Sequence, residues 1–371
     1  MLNAEFVGAD TLTEQGFENT PLAISDGLIV AQSLPRQVDV TGFKLLPGLV
    51  DVHGDGFERH VAPRRGAMKD IAAGIGAAEA EMAANGITTG VLAQFISWEG
   101  GLRGEAFGDK VLCAIRDADS VTDLRAQLRF ETHLLDLYAD LPRRLRDWDV
   151  DYVVFNDHLP HDRLAQGRVP KRLVAQALKA ARSPEAHHAL MQSLHARTKE
   201  VPAALDTLCA HLRVQGIQMG SHDDDTVDAR QIWSGRGVHI AEFPETLDAI
   251  EGPGQVVLGA PNVVRGGSHN GNVSALDVVL MGACDALASD YHYPSLRRAA
   301  VFLAQTLGWS AAWKLVSAGP AHVLGLTDRG ALRPGLRADV LILDDMHRVA
   351  GTISGGRVSY LTGDLAERFL R

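Results

Sequence analysis

The sequence has few cysteines and no long apolar run. Its three cysteines are odd in number and widely separated, at positions Cys113, Cys209 and Cys284. This pattern favours the reduced thiols of a cytoplasmic protein over a disulfide framework. No stretch reaches the roughly 18 apolar residues that a membrane-spanning helix needs, and the N-terminal residues lack the basic and apolar regions of a signal or transit peptide. We therefore expect a soluble, cytoplasmic protein without a membrane partner.

Basic residues are fewer than acidic ones. The 371-residue chain carries 36 Lys and Arg against 46 Asp and Glu, which gives a formal net charge of −10. Nucleic acid is not expected as a partner, because its phosphate backbone binds to cationic surfaces that release counterions. A small anionic substrate remains compatible with the composition, provided that local cations or a metal ion reverse the field within one cleft.

Features of disordered or repetitive chains are absent as well. With 46% hydrophobic residues, 22% charged residues and only 15 prolines, the chain can bury a sizeable core. Its length exceeds that of a usual single-core domain. The composition therefore predicts either two ordinary domains or one large barrel with an accessory part.

The two ends of the chain share one kind of pattern, and the middle has another. Residues 1–47 and 330–371 contain short apolar stretches broken by Gly, Pro and Asp, which predict two sets of strands. Between them, short apolar runs alternate with longer helical segments. Apolar residues on one face predict a helix over residues 69–85 that Gly86 ends, followed by a strand over Ile87–Ile96. This alternation predicts a parallel sheet with crossover helices, either open or closed into a barrel.

Polar residues follow several of the apolar runs. His53 and Asp55 are two apart at the end of a predicted strand, so their side chains point the same way and could bind one metal ion. In parallel βα folds the active site collects at the carboxyl ends of the strands, where ligands from distant sequence positions converge. Four more candidate ligands follow later runs, and they are Glu131, His158, His222 and Asp290.

Together the six candidates comprise three imidazoles and three carboxylates. This donor set suits one or two divalent ions, with zinc preferred and manganese or iron also compatible, because borderline metals accept nitrogen and oxygen donors. Each residue type also has an ordinary structural interpretation. Asp223 beside His222, for instance, could be a helix N-cap. The joint placement of the six at strand ends favours the metal interpretation.

Two segments resemble signatures of a known group. Residues 46–53, LPGLVDVH, are similar to the first-strand signature of the amidohydrolase superfamily, and residues 328–340, DRGALRPGLRADV, resemble its closing signature. The resemblance implies an α/β fold, a distorted (β/α)8 TIM barrel with a centre of one or two metals, and a small β-sandwich built from both chain ends. Residues 48–329 would form the barrel, and residues 1–47 together with residues 330–371 would form the sandwich.

Four further blocks are similar to the PhnM-type enzymes of phosphonate metabolism within that superfamily. They are HGDGFERH with PR at residues 53–60 and 63–64, SHDDDT at residues 221–226, AEFPET at residues 241–246 and GAPNVVRGGSHNGN at residues 259–272. The resemblance extends from about residue 46 to about residue 339. It implies an enzyme of that type.

The matched motifs imply a role for each candidate ligand. His53 and Asp55 would bind one metal, and His158 and His222 would bind the other. Glu131 would bridge the two metals. Asp290 would be the general base beside the attacking water and is also a candidate ligand. The superfamily more often has His-x-His on the first strand and a carboxylated lysine as bridge, so Asp55 and Glu131 mark a variant. His133 and Asp136 remain alternatives to Glu131 as the bridging ligand.

The resemblance also implies a reaction. PhnM-type enzymes release pyrophosphate from α-D-ribose 1-methylphosphonate 5-triphosphate, so a metal-activated water would attack a phosphoric anhydride of a small phosphorylated sugar. Cationic and polar side chains would hold the phosphates. The candidates follow the first and seventh predicted strands, and they are Arg59, His60, Arg64, Arg265, Ser268 and His269. The histidines in helical sequence, which we expect at the surface, are His187, His188, His195 and His211.

Two other functions remain open at this stage. A deacetylase or cyclic amidase could use the same metals on a C–N bond, and a non-catalytic relative could use the barrel as a metal-binding or assembly module. The lack of a recognisable bridging lysine and the loop around Arg265 favour the diphosphatase over the amidase. The retained ligands and Asp290 favour an enzyme over a non-catalytic module. A homo-oligomer is compatible with all three functions.

Overall fold

The computed structural model describes residues 1–63, 70–266 and 273–370. Three of the predicted substrate ligands, Arg64, Ser268 and His269, lie outside the described residues. The described residues divide into two compact units. The first unit comprises those within residues 1–92, 118–125 and 255–371, and the second unit comprises those within residues 93–117 and 126–254.

Most strands are short, and the longest two lie in the middle of the chain. They are β1 (Ala4–Val7), β2 (Asp10–Thr13), β3 (Gly16–Glu18), β4 (Leu22–Ser25), β5 (Leu28–Val30), β6 (Gln37–Asp39), β7 (Lys44–Pro47), β8 (Leu49–Gly54), β9 (Ile87–Ile96), β10 (Asp123–Glu131), β11 (Tyr152–Asn156), β12 (Gln218–His222), β13 (Ile240–Glu242), β14 (Gln255–Gly259), β15 (Ala286–Ala288), β16 (Val340–Leu343), β17 (Val349–Ser354) and β18 (Arg357–Leu361).

The helices follow most of the middle strands. They are α1 (Glu58–Val61), α2 (Ile71–Ala84), α3 (Glu105–Arg116), α4 (Leu141–Trp148), α5 (His161–Ala165), α6 (Leu173–Lys179), α7 (Pro184–Ala196), α8 (Val201–Val214), α9 (Val227–Gly235), α10 (Leu247–Ile250), α11 (Ala260–Arg265), α12 (Ala275–Leu280), α13 (Ser295–Leu307), α14 (Trp309–Lys314), α15 (Ala318–Val323) and α16 (Gly363–Phe369). Two short 3-10 turns occur at Gly101–Arg103 and Leu135–Leu137.

Two sheets of the first unit are built from the ends of the chain. One has the order β5-β4-β1-β6, and the other has the order β18-β17-β16-β7-β2-β3. In the second of these sheets, β7 from the N-terminal region pairs antiparallel with β16 from the C-terminal region. Residues of both sheets, such as Phe6 and Ile342, bury one shared hydrophobic core. The β-sandwich made by both chain ends is therefore confirmed, while its boundaries at residues 47 and 330 remain predictions.

The third sheet is the parallel one that the alternating pattern predicts. Its strands are arranged in chain order from β8 to β15, and paired neighbours run parallel, as β10 does with β11 and β14 does with β15. The first and last strands meet at their carboxyl ends, where Gly54 and Asp290 form a parallel bridge. The distorted (β/α)8 barrel is confirmed, and the predicted ligands lie at or just after the carboxyl ends of its strands.

The segment from residue 70 to residue 96 shows how local sequence sets these elements. Helix α2 begins after Asp70, whose side chain accepts a hydrogen bond from the Ala73 N–H at 3.1 Å, as an N-cap does. The helix ends before Gly86, whose φ of 86° lies in the left-handed region. A Cβ at Gly86 would lie 2.7 Å from the side chain of Leu341. Glycine therefore ends the helix and also allows close packing against β16.

No helix among the described residues is long and apolar enough to cross a membrane. The three cysteines are free thiols, as their spacing predicts. Burial raises the pKa of Cys209 to about 11 and that of Cys284 to about 12. Both thiols are therefore protonated at neutral pH.

A buried arginine fixes the loop that follows β12 in the second unit. Arg230 on α9 is fully buried. Its Nη1 donates to the Asp224 carboxylate at 3.0 Å and also to the Ser221 hydroxyl, and its Nη2 donates to the Pro253 carbonyl at 2.9 Å. Desolvating such an ion pair is costly, and removing one partner leaves an uncompensated charge in the interior. The stability of this loop therefore depends on keeping both partners.

We expect Asp224→Ala to destabilise the protein by about 3–5 kcal/mol, because it strands the buried Arg230 charge. The matched control is Asp225→Ala, since Asp225 is the next residue and is exposed; we expect it to change stability by less than about 0.5 kcal/mol. Urea unfolding of the two variants, followed by circular dichroism, measures the difference. Equal unfolding midpoints for the two variants would show that the Arg230 pair does not stabilise this unit.

Candidate metal and substrate site

The carboxyl ends of β8 and β15 bring three predicted ligands together in the first unit. The Asp290 N–H donates to the His53 carbonyl, and the Asp55 N–H donates to the Asp290 carbonyl, both with N to O distances of 2.9 Å. His53 is buried, whereas Asp55 and Asp290 are partly exposed. Asp290 has a φ of 55°, a left-handed conformation that is uncommon for a residue with a side chain. The backbone thus holds these three residues next to one another.

A buried carboxylate, Asp51, links the same two strands through hydrogen bonds to Ser289. Asp51 is fully buried and accepts hydrogen bonds from the Ser289 N–H at 2.9 Å and from the Ser289 hydroxyl at 2.5 Å. Burial raises the pKa of Asp51, although the bonds from Ser289 oppose this shift. A Cβ at Gly54 would lie 2.8 Å from the Asp51 carboxylate, so glycine is needed there. Our sequence reasoning missed Asp51, and the signal was an acidic residue within an apolar strand.

In the second unit, Glu131 and His158 form a tight pair. Glu131 is the last residue of β10 and is fully buried. One carboxylate oxygen lies at hydrogen-bond contact with the His158 Nδ1, and the other accepts from the His158 N–H at 3.2 Å and from the Trp98 Nε1–H at 3.3 Å. Burial is the largest influence on His158 and lowers its pKa, but the hydrogen bond and charge of Glu131 together outweigh it and raise the pKa.

An arginine that we did not predict contacts His222 at the end of β12. The Arg129 Nη2 lies 2.8 Å from the His222 Nε2 and 3.1 Å from the Asn156 Oδ1. Arg129 is buried, and its guanidinium lies 3.9 Å from the ring centroid of Phe95. Because a guanidinium can only donate, the His222 Nε2 is unprotonated and accepts. The signal that could have identified Arg129 is a basic residue inside the apolar run that ends at Glu131.

The two alternatives to Glu131 as a bridging ligand have different surroundings. His133 is buried, with its Nε2 at 3.2 Å from the Thr198 hydroxyl, and burial is the main reason that its pKa is lowered. Asp136 is 86% exposed and pairs with Arg197 at 2.8 Å. Glu131 contacts another predicted ligand, His158, whereas Asp136 is engaged at the surface. The geometry within the second unit therefore favours Glu131 over Asp136.

The predicted phosphate ligands of α1 are held by an acidic residue of α2. The His60 Nε2 lies 2.6 Å from one Glu81 carboxylate oxygen, and the Arg59 guanidinium pairs with the other. The Arg59 Nη1 also donates to the Tyr291 carbonyl at 3.0 Å. Arg265, the last residue of α11, has its Nη1 at 3.4 Å from the Tyr291 hydroxyl. Arg59 and Arg265 thus both contact Tyr291, the residue that follows Asp290.

A second carboxylate group of the barrel interior was also missed. Glu242, at the end of β13, is fully buried and accepts from the Tyr152 hydroxyl at 2.6 Å and from the Gln127 Nε2 at 2.7 Å. Burial and the Glu242 charge raise the pKa of Tyr152 well above its ordinary value, so the phenol stays protonated. The signal was again a charged residue at the end of an apolar run.

Our expectation that the helical histidines lie at the surface is wrong for His187. This side chain is fully buried in α7, with its ring centroid 5.7 Å from that of Trp98 and its Nδ1 at 3.3 Å from the Arg182 Nη1. His211 is exposed, as predicted. The error arose because Trp98, the partner that covers His187, is distant in sequence.

Comparison with known proteins adds sequence and fold relationships. No protein-family model matches the chain. The chain is 32% identical over 332 residues to the alpha-D-ribose 1-methylphosphonate 5-triphosphate diphosphatase of Escherichia coli strain K12, a match that covers 83% of this chain and 85% of that enzyme. Among solved structures it resembles an amidohydrolase with a TM-score of 0.64 and 14% identity, over 98% of this chain and 100% of that one. It also resembles an adenosine deaminase from Xanthomonas campestris with bound zinc, with a TM-score of 0.55 and 13% identity, over 99% of this chain and 96% of that one.

We expect Glu131→Gln to lower the pKa of His158 below its ordinary value, because burial then acts without the opposing charge of Glu131. A pH titration of the His158 ring by NMR, in protein freed of metal with a chelator, measures this change. Glu99→Gln serves as the matched control, since the Glu99 charge raises the same pKa as the smallest of the influences on it. A His158 pKa that does not respond to Glu131→Gln would show that this pair does not form in solution.

Proposed function

This chain belongs to the PhnM-type family of the amidohydrolase superfamily and is a hydrolase, and we propose that it releases pyrophosphate from α-D-ribose 1-methylphosphonate 5-triphosphate. The observation that carries the proposal is the 32% identity over 83% of the chain to the Escherichia coli diphosphatase of that substrate. Because the chain is a hydrolase, the alternative of a non-catalytic metal-binding or assembly module is excluded. The contacts around Tyr291 support a phosphorylated substrate over a neutral amide.

The donor set fits a centre of one or two divalent ions, which we propose to be zinc, with manganese or iron as alternatives. Carboxylates and unprotonated imidazoles are the forms that bind such ions. The proposed ligands are His53, Asp55, Glu131, His158, His222 and Asp290. When bound, the metal supplies a water whose pKa is lowered from 15.7 towards about 7.

Asp290 is suited to act as the general base. Its N–H and carbonyl are both engaged in backbone hydrogen bonds to the strand that carries His53 and Asp55, so the residue is fixed at that strand end. The carboxylate is partly exposed and can reach a water. We propose that it takes a proton from the attacking water as the phosphoric anhydride bond breaks, and returns a proton towards the leaving pyrophosphate.

Arg265 and Arg59 are suited to hold the phosphates. Both contact Tyr291, which places two guanidinium groups near the residue that follows Asp290. Arginine binds phosphate oxygens through planar, paired donors. Glu81 already neutralises part of the charge of Arg59. We therefore propose that Arg265 is the stronger phosphate ligand of the two.

We expect Asp290→Asn to lower turnover by about a hundredfold or more, because the amide keeps the shape of the side chain but cannot accept the proton. Steady-state release of pyrophosphate measures turnover, and metal analysis of the same sample separates a lost base from a lost ligand. Asp345→Asn is the control, since Asp345 is an exposed aspartate of the same unit. Turnover near that of the wild type in Asp290→Asn would exclude Asp290 as the base.

We expect Arg265→Ala to lower kcat/KM for the triphosphate by about tenfold or more, equivalent to about 1.4 kcal/mol, through the loss of a phosphate contact. Arg265→Lys should restore only part of this loss, because it returns the charge without the planar fork. The control is Arg333→Ala, an exposed arginine of the same unit.

The substrate dependence of this effect decides between the two reactions. Arg265→Ala should reduce hydrolysis of the triphosphate selectively and leave any hydrolysis of a neutral amide unchanged. If Arg265→Ala has no effect on either substrate, or the same effect on both, phosphate recognition does not involve this residue. That result would favour the deacetylase or cyclic amidase reaction.

A further inference from the structure

A second group of potential metal ligands lies in the second unit, outside the residues that the proposed reaction uses. His133 follows β10, Asp157 follows β11, His161 is the first residue of α5, and His195 lies in the last turn of α7. Asp157 immediately precedes His158, yet the two side chains have different partners. His158 pairs with Glu131, whereas Asp157 faces His133 and His161.

We propose that His133, Asp157 and His161 form a second binding site for a borderline divalent cation such as Zn²⁺. One ligand atom of each residue lies within 4.8 Å of those of the other two. The His161 Nε2 is 3.1 Å from the Asp157 Oδ1 and 3.0 Å from its Oδ2, and the His133 Nδ1 is 3.5 Å from the same Oδ1. Ligands around tetrahedral zinc are about 3.3 Å apart, given Zn–N and Zn–O distances of about 2.0–2.1 Å.

The other nitrogen of each imidazole is held by a partner, as it is in most histidines that bind metals. The His161 Nδ1 lies 2.8 Å from the His195 Nδ1, so a metal on the His161 Nε2 leaves Nδ1–H to donate to His195. The His133 Nε2 lies 3.2 Å from the Thr198 hydroxyl, which itself donates to the His195 carbonyl at 2.6 Å. These contacts turn the His133 Nδ1 and the His161 Nε2 towards Asp157.

One side chain competes with a cation for the His133 Nδ1. The Thr132 hydroxyl lies 3.3 Å from the His133 Nδ1. Because a hydroxyl group rotates freely and can donate elsewhere, it can give up this nitrogen to a cation. Three protein ligands leave a fourth position open to water, as in zinc sites with two histidines and one carboxylate.

Solvent can reach the proposed site. The side chain of Asp157 is 40% exposed and that of His161 is 30% exposed, whereas His133 is 2% exposed. His161 also lines a cleft of about 400 Å³. The other residues that line this cleft are its sequence neighbours Leu159, Pro160, Asp162 and Arg163. An ion can therefore enter from this cleft while His133 anchors it from the interior.

The position of the site suggests its role. His133 and Asp157 belong to the loops that begin directly after Glu131 and one residue before His158. An ion bound between these loops and α5 would restrain the backbone that carries two of the proposed catalytic ligands. The ion would thus act on the backbone that carries these ligands rather than on the substrate, and the existence of the site does not depend on the substrate that the enzyme hydrolyses.

The test uses the full-length protein loaded with zinc at a slight excess over all proposed sites. A crystal structure measured at the zinc absorption edge should show an anomalous peak among the His133 Nδ1, the Asp157 carboxylate and the His161 Nε2. Metal analysis after gel filtration should find one zinc ion fewer per chain in His161→Ala than in the wild type. The matched control is His211→Ala, because His211 is an exposed histidine of the same unit, and it should retain the wild-type zinc content.

Two further variants examine the geometry. His195→Ala should weaken zinc binding at this site by about tenfold or more, because His161 loses the acceptor that orients it, and His195→Asn should restore binding by offering an oxygen in place of Nδ1. Zinc should also raise the melting temperature of the wild type more than that of His161→Ala. If His161→Ala does not fold, Asp157→Asn provides the same comparison with less change in shape.

Three outcomes would overturn the proposal. These are equal zinc content in His161→Ala and His211→Ala, no anomalous peak at the three ligands, or a peak that appears only at millimolar zinc. None of them bears on the proposed reaction, which depends on other residues. Conversely, a failure of Asp290→Asn to lower turnover would count against the proposed function and leave this site unaffected.

Discussion

The junction between the first and last strands of the parallel sheet sets the position of His53, Asp55 and Asp290, three of the residues proposed for catalysis. Two backbone hydrogen bonds link Asp290 to His53 and Asp55, and the buried Asp51 carboxylate receives both the N–H and the hydroxyl of Ser289. Burying this carboxylate is unfavourable, and the donors from Ser289 offset the cost. As a result, Asp290 lies next to His53 and Asp55, although more than 230 residues separate them in the sequence.

The acidity of the protein creates a second constraint, because its proposed substrate is a polyanion. Cations must therefore collect near Asp290, and the contacts of Arg59 and Arg265 with Tyr291 do this in the first unit. The Arg59 guanidinium forms an ion pair with Glu81, so a phosphate must compete with the Glu81 carboxylate for this guanidinium. The Arg265 guanidinium hydrogen-bonds the neutral Tyr291 hydroxyl, and for this reason we propose that Arg265 takes the larger share of phosphate binding.

The ends of β10 and β11 show how adjacent residues can serve different sites. Glu131 and His133 are two apart, and Asp157 and His158 are consecutive, yet they divide into a Glu131–His158 pair and a cluster of His133, Asp157 and His161. Once the backbone leaves the strand, successive side chains no longer alternate strictly across the sheet. A loop can then direct one residue towards the proposed catalytic centre and its neighbour towards the proposed second cation site.

The sequence by itself determined the features that depend on local patterns. The helix over Ile71–Ala84, its end at Gly86, the strand that follows it, and the position of His53 and Asp55 at a strand end all follow from periodicity and residue type over a few positions. Resemblance added the closed barrel and the sandwich made from both chain ends. Only the tertiary structure decided the partners of the polar side chains, such as Arg129 beside His222, Glu81 beside Arg59 and Trp98 over His187. These partners are far apart in sequence, and the strand register and helix packing that bring them together depend on contacts along the whole chain.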